Sequence, residues 1–180
     1  YLDVDGDGIP FRTYPGTHPT KGAYFTRGTT KNRYAQYSEA GPDYVDNMQR
    51  LMRKFETAKS LVPRPLLYPA EKPARFGAIF YGSTSPAMQE ALDTLAEKGI
   101  HVNALRVRGF PFADELNDFV RSHPWVFVIE QNRDAQLKTL LVNDGKINPS
   151  RLISLLHYDG TPITARFIVD QISQHAGART

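Results

Sequence analysis

Apolar side chains follow three regimes along the chain. Residues 1 to about 41 show neither a helical nor a strand period, and they carry Pro10, Pro15 and Pro19 among Gly6, Gly8, Gly16, Gly22, Gly28 and Gly41. That pattern predicts a long irregular arm. A structureless run of this length is uncommon in a compact domain unless it binds something or lies against another body, so the arm is expected to pack on something outside this chain. From Pro42 to Val62 the positions Val45, Met48, Leu51, Phe55, Ala58 and Leu61 recur at spacings of three and four. They form the stripe of an amphipathic helix, with Pro42 tolerated in its first turn. Pro63, Pro65, Pro69 and Pro73 then predict an extended linker, and a compact domain is expected from about Arg75. The expected organisation is an arm over 1–41, a helix with a Pro-rich linker over 42–74, and an α/β domain over 75–180.

Beyond the linker, strand and helix patterns alternate. Gly77-Ala78-Ile79-Phe80-Tyr81 is a near-continuous apolar run of buried-strand length, and Ser85-Pro86 opens a helix striped by Met88, Ala91, Leu92 and Leu95 and closed by Gly99;. A strand over Val102 to Arg108 precedes a helix over Ala113 to Ser122 with Leu116, Phe119 and Val120. Trp125 to Ile129 reads as a strand before a helix carrying Leu137, Leu140 and Leu141. Leu152 to Leu156 reads as a strand before a helix that follows Thr161-Pro162 and bears Ile163, Phe167, Ile168 and Ile172. Consecutive β–α units predict a three-layer α/β/α domain with a mostly parallel sheet.

Composition narrows the chemistry. In 180 residues, 41% apolar with 10 Phe, 9 Tyr and one Trp, there is material for one domain with a real core plus an appendage;. No apolar run approaches the roughly 20 residues that span a bilayer, and Tyr1-Leu2-Asp3-Val4-Asp5 has neither the basic nor the apolar part of a signal peptide;. The chain starts without Met and is expected to be a piece of a longer polypeptide, with no membrane partner. Zero cysteines exclude disulfides, thiolate nucleophiles, structural zinc fingers and thiolate-held iron–sulfur clusters on this chain, and fit a cytoplasmic protein;. The net charge of +3 is too small to argue for nucleic acid, and none is expected as a partner. Its distribution says more. Between Gly8 and Ser38 there is no acid, while Arg12, Lys21, Arg27, Lys31 and Arg33 are all present.

The motifs keep several readings open. Ligands of open α/β sheets bind outside the carboxyl ends of the strands, which puts Gly82-Ser83-Thr84-Ser85, Arg108, Glu130-Gln131-Asn132-Arg133-Asp134 and His157-Tyr158-Asp159-Gly160 along one rim. Ser83, Thr84, Arg108, Glu130, Asn132 and Arg133 are its candidate residues. They serve either as a subunit contact or site wall with an Arg108–Glu130–Arg133 ion-pair network, or as ordinary helix caps. No nucleophile–base–acid set is visible, and no G-x-G-x-x-G follows the first strand, which disfavours a dinucleotide site. Asp3, Asp5 and Asp7 with Gly8 open like a calcium loop, but Tyr14 stands where the bidentate Glu belongs;. The alternatives are a divalent-metal site or an Asp/Gly turn bonding its own backbone. Gly6-Asp7-Gly8 with Asn32 downstream also has the outline of a magnesium-diphosphate motif, without the strand, helix and strand that motif needs. Basic residues interleaved with Tyr14, Tyr24, Phe25, Tyr34 and Tyr37 suit anions or single strands as well as a solvated loop. His18, Lys21 and Arg27 are the candidate anion or subunit contacts.

Taken together, Asp3-Val4-Asp5-Gly6-Asp7-Gly8-Ile9-Pro10, Pro15-Gly16-Thr17-His18-Pro19, Phe25-Thr26-Arg27-Gly28, Arg53-Lys54-Phe55-Glu56-Thr57-Ala58, Glu130-Gln131-Asn132-Arg133-Asp134 and His157-Tyr158-Asp159-Gly160 resemble the C-terminal part of the alpha subunit of the 2-oxoglutarate:ferredoxin oxidoreductases. The resemblance runs over essentially the whole chain. It implies a transketolase C-terminal-like domain, one sheet member running antiparallel, and an arm that is the tail of a preceding pyrimidine-binding domain. It also implies a parent complex that oxidatively decarboxylates a 2-oxoacid to an acyl-CoA with thiamine diphosphate and magnesium, a [4Fe–4S] cluster, ferredoxin and coenzyme A. The cofactor motif and cluster cysteines of that family belong to its beta subunit. This piece is therefore expected to carry no cofactor and no catalytic residue, to be inactive alone, and to work as a structural and assembly domain. A calcium-binding module and a freestanding small-molecule-binding α/β domain are the alternatives.

Overall fold

Two structural units arise from these patterns, Tyr1–Leu61 and Val62–Thr180. The computed structural model describes residues 1–22, 28 and 30–178. In the first unit the described part of the arm forms turns and a single short bridge between Lys31 and Tyr37. The helix α1 follows over Gly41–Leu61, where the three-and-four spacing placed it. Arg50 is its buried residue, and Tyr44, Val45, Met48, Met52 and Phe55 are between 41% and 71% exposed. The polar side of α1 is the one that holds the arm. Arg50 Nη1 donates to the Gly8 carbonyl at 3.0 Å, Thr57 Oγ1 donates to the Asp7 carbonyl at 2.6 Å, and Asn47 donates to the Lys31 carbonyl. The Arg50 guanidinium also lies over the Tyr1 ring, 5.4 Å from its centroid.

The second unit carries strands β1 (Leu66–Tyr68), β2 (Phe76–Tyr81), β3 (Val102–Val107), β4 (Trp125–Glu130) and β5 (Leu152–Leu156), with helices α2 (Ser85–Glu97), α3 (Asp114–Arg121), α4 (Gln136–Asn143) and α5 (Ala165–Gly177). Strand order is β1-β3-β2-β4-β5. β2 to β5 run parallel and β1 runs antiparallel along the edge of β3, with Leu66 opposite Arg106. The expected α/β/α sandwich with a mostly parallel sheet is the observed fold. The extended Pro-rich segment, expected to be linker, contributes β1 to the sheet. Its three residues are too short to show a period, and what specifies the strand is the open edge of β3.

Alternation across the sheet builds two cores. Ala78, Phe80, Ala104, Phe127 and Leu155 face α2 and α5, where Met88, Leu95, Ile168 and Ile172 are fully buried. On the other face Ile79, Leu105, Val126 and Val128 meet Leu116, Phe119, Leu137 and Leu141 of α3 and α4. Each of the buried Val, Leu, Ile, Phe and Met side chains contributes about 1.5–3 kcal/mol by leaving water. β2 and β4 are covered on both faces, which is why they read as unbroken apolar runs;. Gly77 on β2 admits α3 closely, since a Cβ there would stand 2.9 Å from the Phe119 ring. At the start of α5 the Thr164 hydroxyl accepts the Phe167 amide at 3.2 Å, so Ile163, expected in the helical stripe, packs just ahead of the helix.

Candidate functional site

Two strand-to-helix turns are stitched together at the carboxyl ends of β2 and β4. Gln131 Nε2 donates to Ser83 Oγ at 3.0 Å and to Thr84 Oγ1 at 3.2 Å. Glu130, fully buried at the end of β4, accepts from the backbone amides of Leu137 and Lys138 at 2.7 and 3.1 Å and from Asn132 Nδ2 at 2.8 Å. Asn132 Oδ1 in turn accepts the amides of Asp134 and Gln136. The first turn of α4 is thus closed by one carboxylate and one side-chain amide, which satisfies donors that a helix start leaves open. Ala135, at φ +51, makes the bend that aims the helix at Glu130.

The expected ion-pair network at this rim does not form. Arg133 points outward and pairs with Asp134 at 2.7 Å, Glu130 is consumed by α4, and among the described residues no ion pair joins Arg108 to either. The physical reason is local. The backbone amides in the first turn of α4 lie closer to Glu130 than Arg108, which follows β3 and is separated from β4 by β2, and they bring no rotamer entropy to lose;.

Arg108 instead borders a cleft of ≈ 370 Å³ at the carboxyl ends of β2 and β3, on the α3 and α4 side of the sheet. Tyr81 and Val107, directly opposite each other in the register, form its floor. Phe112 and Leu137 line its sides, Phe110 and Leu140 its mouth, and Gln136 adds a side-chain amide. Phe110 meets Phe112 edge-on at 5.2 Å. Sequence reasoning found Arg108 and missed the cleft, because Phe110, Phe112 and Leu140 belong to a loop and a helix whose convergence no period announces.

After β5, His157 is buried, donates its backbone amide to the Glu130 carbonyl at 2.9 Å, and stacks edge-on against Phe167. Asp159 is held below the usual carboxylate range, first by the Thr161 amide and then by the Thr161 hydroxyl, with His157 contributing attraction.

In the first unit the carboxylates of Asp3, Asp5 and Asp7 lie within 4.8 Å of one another. Among the described residues they are the one such group of three potential ligands. Asp3 is already engaged: its oxygens accept the Gly6 and Gly8 amides at 2.9 and 3.1 Å and face Arg53 at 3.3 Å, while Asp7 accepts the Ile9 amide at 2.7 Å. The segment is a turn whose side chains bond their own backbone and whose Gly8 sits against α1. That context does not fit a magnesium-diphosphate motif. No strand precedes Gly6 and no helix lies between it and Asn32 among the described residues, and Asn32 Oδ1 accepts the Tyr34 and Gln36 amides. With no cysteine, the chain does not fit a [4Fe–4S] cluster either.

Of the candidate contacts in the arm, His18 Nδ1 accepts the Thr20 and Lys21 amides at 3.1 and 3.0 Å and shapes a turn. Lys21 is exposed beside it. Arg27, with Tyr24 and the Phe25-Thr26 stretch, lies outside the described residues. No helix among the described residues is long and apolar enough to cross a membrane.

No family model matches the chain, and no curated protein matches its sequence. Among solved structures, 2-oxoglutarate:ferredoxin oxidoreductase from Magnetococcus marinus, determined with 2-oxoglutarate, coenzyme A and succinyl-CoA bound, is similar at TM-score 0.80 and 20% identity. That similarity covers 96% of this chain and 30% of the other, so the chain spans about 30% of that neighbour's length. A split-gene transketolase, an inactive beta4 tetramer, gives TM-score 0.49 at 18% identity over 62% of this chain and 40% of its own. The alpha chain of a probable 2-oxoacid ferredoxin oxidoreductase from Thermoplasma acidophilum gives 0.43 at 24% over 63% and 97%. The first likeness shows the fold, and it extends over the irregular arm as well as the sheet.

Proposed function

We propose that the chain is the C-terminal part of the alpha subunit of a thiamine-diphosphate-dependent 2-oxoacid:ferredoxin oxidoreductase acting on 2-oxoglutarate, and that it braces and assembles the complex without performing chemistry. The family reading is supported by the quoted motifs and by a fold likeness that includes the arm. The assembly role is carried by one observation: the polar side of α1 packs on its own arm while Tyr44, Val45, Met48 and Met52 remain exposed. An apolar stripe left exposed in this way suits a surface buried against another body. Beta subunit, preceding pyrimidine domain and ferredoxin are the partners of this reading. Thiamine diphosphate with magnesium, the iron–sulfur cluster and coenzyme A belong elsewhere in the complex, in the cytoplasm.

Calorimetry of the chain tests it. Neither thiamine diphosphate with magnesium nor 2-oxoglutarate gives a heat of binding at micromolar concentration, and a clear heat with either refutes the role. In the full complex, charge reversal at Lys21 and Arg27 weakens assembly or raises the Michaelis constant; if both are unchanged, the arm is a solvated connector.

The proximity of Asp3, Asp5 and Asp7 favours a second reading, a calcium-responsive module. Calcium binding to the native state must raise the melting temperature. A thermal-shift titration against chelator that shows no rise removes this reading.

A further inference from the structure

The crevice over Tyr81 and Val107 has a chemistry that neither the core nor the assembly role uses. We propose that it binds a small monocarboxylate, a single anionic head on an apolar body, with Arg108 holding the head. This site lies wholly within the α/β unit and is independent of the assembly reading.

Its place is the first argument. The cleft opens at the carboxyl ends of the two adjacent parallel strands β2 and β3, the end at which open α/β sheets take their ligands. Its ≈ 370 Å³ falls within the range of about 300–1,000 Å³ typical of small-molecule sites;. The floor and sides are apolar, and Phe110 and Leu140 keep 44% and 41% exposure at its mouth. Such a wall gains free energy by covering a hydrocarbon body.

Charge then selects the head group. Arg108 is exposed on the border of the cleft, and among the described residues no carboxylate pairs with it, whereas Arg133 on the same rim is neutralised by Asp134. A guanidinium presents two parallel N–H donors that match a carboxylate. Phosphate is disfavoured by the way α4 is built. The amides of Leu137 and Lys138, which would cradle a phosphate at a helix start, are already taken by the buried Glu130;. A second acidic group would find no further cation in the lining. One negative charge and an apolar body remain. The wider groove of ≈ 660 Å³ between β1 and α2 lacks this selectivity, since Glu71, Lys72, Asp93 and Glu97 line it together.

The experiment uses the full chain, titrated with 4-methylpentanoate and with its neutral amide, by calorimetry and ¹H–¹⁵N spectra. For a ligand of this size the acid saturates near about 1 mM, shifting the amides of Arg108, Gly109 and Gln136. The neutral amide binds at least about tenfold more weakly, the step expected when a charge-assisted hydrogen bond is lost. Arg108→Gln reduces the acid to the level of the amide, and Leu140→Asp weakens both. The two positions are exposed, so unchanged melting temperatures certify folded variants. Absence of saturable shifts, shifts outside the cleft, equal affinity for acid and amide, or an unaltered Arg108→Gln each overturns the site.

Discussion

The carboxylate of Glu130 accepts the backbone amide of Leu137 at 2.7 Å, so the last residue of β4 closes the first turn of the helix that follows it. The same carboxylate takes the Lys138 amide and the Asn132 side chain. Replacing Glu130 by Ala leaves these donors without an acceptor in a fully buried place, at a cost of about 2–3 kcal/mol. Gln at this position costs less, because its carbonyl keeps one amide while its NH₂ faces another donor. Urea denaturation of the two variants checks the order; equal stability of Glu130→Ala and the parent chain shows that the cap contributes nothing.

Glu130 also marks where the sequence stops being readable. The β–α units were legible because burial on both faces leaves continuous apolar runs in β2 and β4, and burial on one side leaves stripes in the helices. A polar residue after a strand was legible as a rim position and no further. Whether Glu130 meets Arg108 or the amides of α4 depends on a loop bend at Ala135 with φ +51, which no apolar period encodes. The cleft was invisible for the same reason. The stripe of α1 is legible in its three-and-four spacing, but a stripe does not say that the polar side is the covered one.

Gly8 and Gly6 separate backbone freedom from close approach. Both have positive φ, +80 for Gly6 and +83 for Gly8, so Ala at either is strained by about 1 kcal/mol;. Around Gly6 nothing lies within 4 Å, whereas a Cβ on Gly8 would stand 2.2 Å from the Lys54 amide nitrogen and 2.7 Å from the Arg50 carbonyl. Gly8→Ala therefore detaches this part of the arm from α1, and Gly6→Ala does not. Hydrogen exchange at Gly8 and Ile9 reads the difference. Equal protection in the two variants would mean that the arm is not held at this point.

Asp159 supplies the pH dependence. Its carboxyl is depressed chiefly by the Thr161 amide and hydroxyl. A carboxyl whose folded value lies below its unfolded one adds stability that is present above the ordinary carboxylate range and lost as pH falls through the folded value. Thr161→Val removes the hydroxyl and keeps the amide, so the Asp159 carboxyl titrates at higher pH than in the parent chain while staying below an unperturbed Asp. Carbon-detected titration of its side-chain carboxyl measures both. The group is solvent-exposed, and the change appears in its titration rather than in the melting temperature.

The outward stripe of α1 makes the sharpest distinction between a surface and a core. Met48 and Met52 are 41% and 71% exposed, and the helix is anchored through Arg50, Asn47 and Thr57 on its other side. Replacing both methionines by Glu thus removes no buried area of consequence, and the stability of the chain changes by no more than about 0.5 kcal/mol. The same charge placed at Ile172, fully buried on α5, unfolds the α/β unit;. Under the assembly reading, the double Glu variant also abolishes incorporation of the full subunit into its complex, because two carboxylates must then be desolvated at the contact. Chemical denaturation of the chain and size-exclusion chromatography of the complex give independent answers. Loss of stability in the isolated chain would show that the stripe is packed by the chain itself, and normal assembly with normal stability would show that nothing docks there.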